Sequence, residues 1–386
     1  MITTGVVGRH WRASVTGWGS VLPWDGSPEL DWWVAADDRW HTPSHEPALR
    51  QARIDGTAVV ETRLRVPRGD AVHRVYSVAD AGGLTIVEVT NESTLPIAIA
   101  FGRSDVRTER PIVDVPIEGI TLPAGSFVVP VGHLATARVA LAHDGSGAGP
   151  IPAGVAGHEQ VVRGWAATVE RASRLDLPPG GVLGASVAAV SAQRCEVMLG
   201  GLGDPAADPA AFALGLGELA RMGEPADPFL PELAEAVSSV ARHDGWRADV
   251  ALAAAQRVLA ASGERRAVRD LERITRSRVT APSPPEAPDD VFVVPWLERR
   301  LALDGVLLPE GLPREWLGAS FEVHGVPVGC ASTVSYAVRW HGERPAVLWE
   351  VTGDPAELTA PAIDPTWRTS APSGEALWPA PDTTFS

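Results

Sequence analysis

The sequence contains no lysine, so all 33 of its basic residues are arginines. Schiff-base chemistry and the phosphate-binding lysine of P-loop enzymes are therefore excluded. Cysteine is nearly absent as well, and only Cys195 and Cys330 are present. Two distant cysteines cannot build a disulfide framework, and we expect both thiols to be buried as small apolar residues.

Long apolar runs are also missing, because no uninterrupted stretch reaches the ~18 apolar residues that indicate a membrane span. The first twelve residues lack the basic and apolar regions of a secretory signal, so the expected location is the cytoplasm. Acidic residues exceed basic ones by 48 to 33, which gives a formal net charge of -15. An acidic chain without a basic stripe is not expected to bind nucleic acid or a membrane surface.

The sequence does contain six short alternating segments between residues 56 and 142. Apolar and polar residues alternate in each segment, and turn residues such as Gly82-Gly83 separate them. Strands at intervals of about 8–12 residues are typical of an antiparallel sandwich or barrel. Because 143–157 is rich in glycine and proline, we predict an N-terminal β-sandwich domain over 1–157.

Helical periodicity replaces this alternation after residue 157. Apolar residues recur three or four positions apart, and Asp208-Pro209 and Asp227-Pro228 each place an N-cap acceptor before a proline. Short links between the segments favour antiparallel helical hairpins. We predict a reduced α-helical domain over 158–279, followed by a proline-rich linker over 280–290.

Strand patterns return near the C-terminus. Residues 321–328 alternate, and 333–351 predict a hairpin whose turn is His341 to Arg344. We therefore predict a C-terminal β domain over 291–386. The predicted fold class is α+β, with an N-terminal antiparallel β-sandwich, a short helical domain and a C-terminal β domain.

Tryptophan and aspartate are concentrated in the first 40 residues, which hold six of the 14 tryptophans. Indoles stack on the apolar faces of sugar rings and carboxylates accept hydrogen bonds from hydroxyl groups, so this mixture suits a saccharide groove. The alternative is that the tryptophans fill the end of the sandwich and the aspartates cap turns. The candidate ligand-binding residues in this region are Trp32, Trp33, Trp40, Asp37, Asp38 and His41.

The predicted C-terminal hairpin supplies a second set of candidates, because loops often carry binding residues. The alternative is a solvated turn with its tryptophans in the core. The candidates at this turn are Trp340, His341, Glu343 and Arg344.

Catalytic and cofactor motifs are not recognised in this sequence. His41 and His45 have the spacing of metal ligands, but the prolines around them disfavour a helix there. The segment 215–220 fits a loose dinucleotide pattern but lies within a predicted helix, so its glycines are expected to allow close helix packing. We predict no metal site and no cofactor, and no catalytic residue can be named.

Three segments resemble parts of α-glucan-cleaving enzymes. The pattern GDAVHRVYSV…GGLTIVEVTNESTLPIAIAFG over 69–102 is similar to the N-terminal sandwich domain of glucoamylase-like and glycogen-debranching proteins. The segment RGWAATVERASRLDLP over 163–178 resembles the entry into their α/α barrel. The segment VSYAVRWHGERPAVLWEVTG over 334–353 resembles the small β domain that closes them. The resemblance implies an oligosaccharide or α-glucan as ligand.

The helical segment is nevertheless too short for the catalytic barrel of that family. A barrel of roughly a dozen helices needs well over 200 residues at about 11–12 residues per helix plus connections. Only about 115 residues separate positions 164 and 278. We therefore expect a saccharide-binding or accessory protein rather than an enzyme. The alternatives are a glycoside hydrolase that uses paired Asp and Glu residues, or a protein-interaction module that binds a protein partner or a second copy of itself.

Overall fold

The computed structural model describes residues 1–112, 116–276, 278 and 281–381. Two compact units divide the chain, Met1–Ala166 (unit 1) and Ala167–Ser386 (unit 2). The fold class is α+β, as predicted, with mostly antiparallel sheets in both units. Thr280, at the start of the predicted linker, and residues 382–386 of the predicted C-terminal domain lie outside the described residues.

Three sheets form the described part of unit 1. The first contains, in order, β1 (Ile2–Gly5), β2 (Arg12–Val15) and β3 (Val21–Pro23). The second has the order β12-β10-β4-β5 and contains β4 (Trp32–Ala35), β5 (Trp40–His41), β10 (Ile97–Phe101) and β12 (Phe127–Val131). The third has the order β14-β11-β13-β9-β8-β7-β6 and contains β6 (Arg50–Arg53), β7 (Val60–Val66), β8 (Gly69–Val78), β9 (Leu84–Asn91), β11 (Arg107–Thr108), β13 (Thr136–Ala142) and β14 (Gly149–Pro150).

The three sheets of unit 1 share an apolar core, which makes this unit a β-sandwich. A second, smaller buried cluster of the same unit includes Tyr76 and Ile86. Val15, Val34 and Val75 come one from each sheet, and all three are fully buried in the same cluster. Along β7 the buried positions alternate with more exposed ones, as expected for a strand with one face on the core. Because apolar burial contributes about 25 cal/mol per Å², this alternation fixes which face of each strand turns inward.

The six strands predicted between 56 and 142 are β7, β8, β9, β10, β12 and β13, with ends shifted by a few residues. The strands before residue 56 were not predicted. Each of them has only two to four residues, which is too short to display a clear two-residue period.

One helix, α1 (His158–Val169), begins in unit 1 and ends in unit 2. The others lie in unit 2: α2 (Gly181–Gly200), α3 (Pro209–Arg221), α4 (Leu230–Val240), α5 (Trp246–Ala261), α6 (Arg265–Arg276) and α7 (Val293–Leu301). The predicted cap at Asp208 is confirmed, because its side chain accepts a hydrogen bond of 2.9 Å from the Ala211 amide. The close packing predicted for the glycines is found at Gly217, where an added Cβ would lie 3.0 Å from Ala254 Cβ of α5.

By length and composition alone, α2 would suffice to cross a bilayer, which the sequence pattern did not indicate. Its buried side includes Arg194 and Cys195, and Arg194 is paired with carboxylates of other helices in unit 2. These contacts are those of a helix packed in a protein core. Neither cysteine forms a disulfide; Cys195 is buried as expected, whereas Cys330 is half-buried.

Two sheets complete the described part of unit 2. The larger has the order β15-β18-β19-β20-β23 and contains β15 (Arg174–Asp176), β18 (Phe321–Pro327), β19 (Ser332–His341), β20 (Arg344–Gly353) and β23 (Ser373–Leu377). The smaller has the order β16-β17-β21-β22 and contains β16 (Ala302–Leu303), β17 (Val306–Leu307), β21 (Leu358–Ala360) and β22 (Asp364–Thr369). The predicted hairpin is confirmed, since His341 pairs with Arg344 and Gly342 has a φ of 64°.

Part of the segment predicted as a separate helical domain packs in one core with the C-terminal sheets. Strand β15 precedes α2, yet Leu175 on β15 pairs with Val323 on β18. Val190 on α2 and Val250 on α5 belong to the same buried cluster as Val323. The helices α2–α7 are therefore inserted between two neighbouring strands of one sheet. Part of the predicted segment 158–279 thus shares a buried cluster with 291–386. A second buried cluster, which includes Phe212, Leu233 and Leu252, lies within the helices alone.

Candidate functional site

The outer face of the four-stranded sheet in unit 1 carries two of the predicted tryptophans. On β4 buried and half-buried residues alternate, so Trp32 points to the core and Trp33 to the outer face. Trp40 pairs with Ala35, two residues beyond Trp33 on the same strand. Opposed residues of antiparallel strands, and residues two apart on one strand, point to the same side. Trp33 and Trp40 are therefore diagonal neighbours on one face, with backbones ~7–8 Å apart.

Small side chains occupy the same face beside these indoles. Ala100 pairs with Trp33, and Ala98 pairs with Ala35. The third strand places Val128 opposite Ala100 and Pro130 opposite Ala98. We call this surface, which contains Trp33, Trp40 and the small residues between and beside them, the aromatic face.

The ring of Trp40 is held in a fixed position. Its Nε1 donates a hydrogen bond of 2.8 Å to the Glu118 carbonyl. Gly119 lies against the same ring, since an added Cβ there would be 3.4 Å from Trp40 Cδ1. A fixed ring loses little conformational entropy when a ligand binds.

A polar cavity of about 480 Å³ lies beside Trp33, and its lining includes Glu29, Asp31 and Arg103. Gly102 lies between the cavity and the ring of Trp33. Its amide donates a hydrogen bond of 2.9 Å to the Asp31 carbonyl, which keeps the two residues adjacent. A Cβ added at Gly102 would lie 3.4 Å from both Trp33 ring carbons and Asp31 Cβ. The absence of a side chain at residue 102 thus brings the indole next to the carboxylates.

Charged groups in this cavity shift the pKa values of neighbouring carboxyl groups. Repulsion from Asp31, with added effects of burial and a hydrogen bond between the two carboxyl groups, raises the pKa of Glu29. Asp31 also accepts a hydrogen bond from Ser20 Oγ. Arg103 binds Asp105 through Nε at 2.6 Å, and its charge and hydrogen bonds lower the pKa of that carboxyl. Arg103 also donates a hydrogen bond to the Pro28 carbonyl, so its guanidinium group is engaged and the cavity offers mainly hydrogen-bond acceptors.

Trp32, predicted as a stacking residue, lies in the core instead. Its side chain is 2 % exposed and its ring stacks on His73 at a centroid distance of 4.4 Å. Its Nε1 donates a hydrogen bond of 2.9 Å to the Trp18 carbonyl. Neither face of this indole is open to a ligand, because neighbours in the sandwich cover it.

The predicted polar candidates Asp37, Asp38 and His41 lie at the connection between β4 and β5. Both aspartates are exposed, but His41 is only 2 % exposed. The two ring nitrogens of His41 contact Asp38 at 3.0 Å and Glu46 at 3.2 Å. His41 thus links the turn to the following segment, and its nitrogens are already occupied rather than open to a ligand.

The hairpin candidates are in unit 2 and do not belong to the aromatic face. Trp340 is half-buried and donates a hydrogen bond of 2.8 Å to the Ala319 carbonyl. Arg344 donates hydrogen bonds of 3.0 Å to the carbonyls of Leu377 and Trp378. His341 and Glu343 are exposed at the turn. Two of these four side chains therefore attach the hairpin to neighbouring segments.

Sequence reasoning missed Glu29 and Arg103. The alternation of Glu29, Asp31 and Trp33 was a usable signal, because Glu29 and Asp31 lead directly into β4 and residues two apart in extended backbone share a face. Arg103 follows a different strand, and no local pattern connects it with Glu29.

A cluster in unit 2 also has the composition of a metal site, with Asp176, Glu322 and His324 placing one ligand atom each within 4.8 Å of the others. Arginines already pair with its carboxylates, however. Arg174 lies 3.1 Å from Asp176 and 3.2 Å from Glu322, and Arg339 also binds Glu322. A cation would have to compete with these guanidinium groups, so the cluster carries no metal assignment.

No protein family, curated protein or solved structure matches this chain. The resemblance to α-glucan-cleaving enzymes therefore stays an expectation from the sequence.

Proposed function

We propose that unit 1 binds a saccharide on the aromatic face, with Trp33 and Trp40 as the stacking residues. The observation that supports this proposal best is that two half-buried indoles share one face with small side chains between and beside them. Sugar rings present C–H groups that pack on indoles. The half-buried Ala35 and Ala98 leave room for the rest of the ring, whereas Ala100 is fully buried. The polar cavity beside Trp33 supplies partners for hydroxyl groups.

An oligosaccharide fits this surface better than a single sugar does. Because Trp33 and Trp40 occupy diagonal positions, together they contact more than one sugar ring. The carboxylates of Glu29 and Asp31 lie in the cavity beside Trp33. The resemblance of the N-terminal strands to those of α-glucan-cleaving enzymes favours an α-glucan. A cytoplasmic location, expected from the sequence, forms part of the same proposal.

Glycoside hydrolysis is the second candidate, and the raised pKa of Glu29 favours it, because a protonated carboxyl can act as a general acid. Glycosidases, however, hold two carboxyl groups about 5–10 Å apart on either side of the scissile bond. Glu29 and Asp31 are close enough to share a hydrogen bond. This closeness leaves no room for a sugar between them, so binding is proposed ahead of hydrolysis.

Titration calorimetry with maltoheptaose and glycogen tests the proposal on the full chain. We expect Trp33→Ala to weaken binding at least tenfold, or by about 1.4 kcal/mol, because an aromatic contact contributes ~0.5–1.5 kcal/mol beyond its buried area. Trp40→Ala is expected to act in the same direction. The matched control is Trp24→Ala, which removes an indole that is 52 % exposed and adjoins the three-stranded sheet.

Saccharide binding at the aromatic face is disproved if neither glucan gives heat, or if Trp33→Ala binds as tightly as Trp24→Ala. Release of reducing ends by the wild-type chain, abolished by Glu29→Gln, would favour the hydrolase instead.

A further inference from the structure

Two arginines of unit 2 line one cavity and have no hydrogen-bond or ion-pair partner among the described residues. The cavity has a volume of about 250 Å³. It lies among α5, α7 and the end of β18, and its polar lining consists of Gln256, Arg257, Glu298, Arg299, Asp304 and Cys330. We call it the arginine cavity.

Glu298 is not available to neutralise these arginines, because it belongs to a closed network behind them. Arg194 contacts Glu218 at 2.8 Å and Glu298 at 2.9 Å. Arg221 contacts Glu218 at 2.6 Å and Glu298 at 2.8 Å. Two guanidinium groups thus balance two carboxylates, and the network has no surplus negative charge.

Arg257 is therefore a surplus cation next to a balanced network. Its Nε is shielded from solvent and has no hydrogen-bond partner. Burial, followed by repulsion from Arg221, lowers the pKa of Arg257 to about 10. The guanidinium group remains charged at neutral pH. Arg257 is half-buried, and a partly buried charge without a direct partner is costly.

Arg299 presents the same feature from α7. Its Nε is also shielded and has no partner, and burial lowers its pKa. The nearby carboxylates of Asp304 and Asp249 oppose this shift. Asp304 therefore offsets part of the charge of Arg299. Glu218 and Glu298 offset part of the charge of Arg257, although neither forms an ion pair with it among the described residues.

We propose that the arginine cavity binds a small oxyanion, either inorganic phosphate or the phosphate group of a compact metabolite, through Arg257 and Arg299. Guanidinium groups present forked N–H donors that match the oxygens of a phosphate. The ligand must be small, since drug-sized ligands occupy about 300–1,000 Å³ and this cavity is below that range. This inference is independent of saccharide binding, because all of its residues lie in unit 2.

Cys330 provides a reporter inside the cavity. It is half-buried, whereas Cys195, the other cysteine, is 0 % exposed. An alkylating reagent is therefore expected to modify Cys330 first, and a bound oxyanion should slow that reaction by occupying the same space.

The experiment combines thermal unfolding of the full chain with iodoacetamide labelling of Cys330, in sodium phosphate or in sodium chloride of equal ionic strength. We expect phosphate, and not chloride, to raise the Tm and to slow labelling. A parallel titration with glycerol 3-phosphate distinguishes the free ion from a phosphorylated metabolite by the lower Kd.

Arg257→Met and Arg299→Met are each expected to raise the Kd for phosphate at least tenfold. Arg257→Met should also have a higher Tm than the wild type without phosphate, because an apolar side chain replaces a half-buried cation that has no direct partner. The control Arg273→Met alters an arginine of α6 whose side chain is 73 % exposed, and it should respond to phosphate like the wild type.

The assignment is overturned if chloride protects Cys330 as well as phosphate does, or if phosphate raises the Tm equally in the wild type and both variants. Should Arg257→Met fail to fold, Arg299→Met and the protection of wild-type Cys330 still decide the question.

Discussion

The indole of Trp32 stacks on the imidazole of His73, with ring centroids 4.4 Å apart and an interplanar angle of 22°. Trp32 belongs to the four-stranded sheet and His73 to the seven-stranded sheet, so the pair connects two layers of the sandwich. Gly19 packs against both rings. A Cβ there would lie 2.9 Å from Trp32 Nε1, and its φ of 94° is also one that glycine adopts at no steric cost.

This pair predicts a loss of stability in mild acid. Burial lowers the pKa of His73 to about 3, whereas an unfolded histidine titrates near 6.5. The unfolded chain therefore gains a proton that the folded chain does not bind, and the destabilisation begins below pH 6.5 and grows until about pH 3. At pH 5 the expected loss of unfolding free energy from this group is about 2 kcal/mol.

Urea unfolding of the wild type and His73→Phe at pH 7 and pH 5 measures this effect. The wild type should lose about 2 kcal/mol more between the two pH values than His73→Phe does. His10→Asn, at an exposed histidine, is the control and should retain the wild-type dependence. Equal losses in the wild type and His73→Phe would contradict the prediction.

Glu298 is expected to be a strong determinant of the stability of unit 2. Glu298→Gln leaves Arg194 and Arg221 each without one of their two carboxylate partners in a buried setting. Breaking a buried pair on one side typically costs about 3–5 kcal/mol. The free energy of unfolding in urea should fall by that amount.

An exposed ion pair supplies the comparison. Asp270→Asn breaks the pair with Arg273 on α6, whose side chains are 49 % and 73 % exposed. Its expected cost is at most about 1 kcal/mol. If both substitutions cost the same, the network around Glu298 does not have the stabilising role assigned to it.

The two buried glycines of α3 are expected to respond differently to the same substitution. At Gly217 a Cβ would lie 3.0 Å from Ala254 Cβ, whereas at Gly215 it would lie 3.2 Å from the flexible end of Leu202. Alanine favours a helix over glycine by about 1 kcal/mol, but overpacking costs about 1–3 kcal/mol. Gly215→Ala should therefore be more stable than Gly217→Ala by about 1–3 kcal/mol. Thermal unfolding of both variants measures this difference. If Gly217→Ala were the more stable variant, the close contact of α3 with α5 at Gly217 would be contradicted.

Six strands between 60 and 142, the cap at Asp208 and the hairpin turn at Gly342 could be predicted because they depend on nearby residues. Alternation, an N-cap side chain and a glycine with positive φ act within a few residues of the chain. Helix α7 escaped prediction because its apolar residues around Pro295 do not show a helical pattern. Proline is tolerated in the first turn of a helix, so Pro295 does not prevent α7 from forming.

The adjacent residues Trp32 and Trp33 illustrate the limit at the candidate site. Their sequence order requires that they point to opposite faces of one strand, and so only one of them can face a ligand. Which of the two tryptophans faces a ligand depends on which side of the strand another sheet covers. The covered side is that of Trp32, whose ring stacks on His73 of the seven-stranded sheet.

The sequence by itself determined the α+β class, the run of six strands that precedes the helices, and the high arginine content, because these follow from composition and local periodicity. Only the tertiary structure decided that β15 pairs with β18 and that Arg257 and Arg299 meet at one cavity. Such pairings join residues far apart along the chain. They depend on how whole faces pack, and no local pattern contains that information.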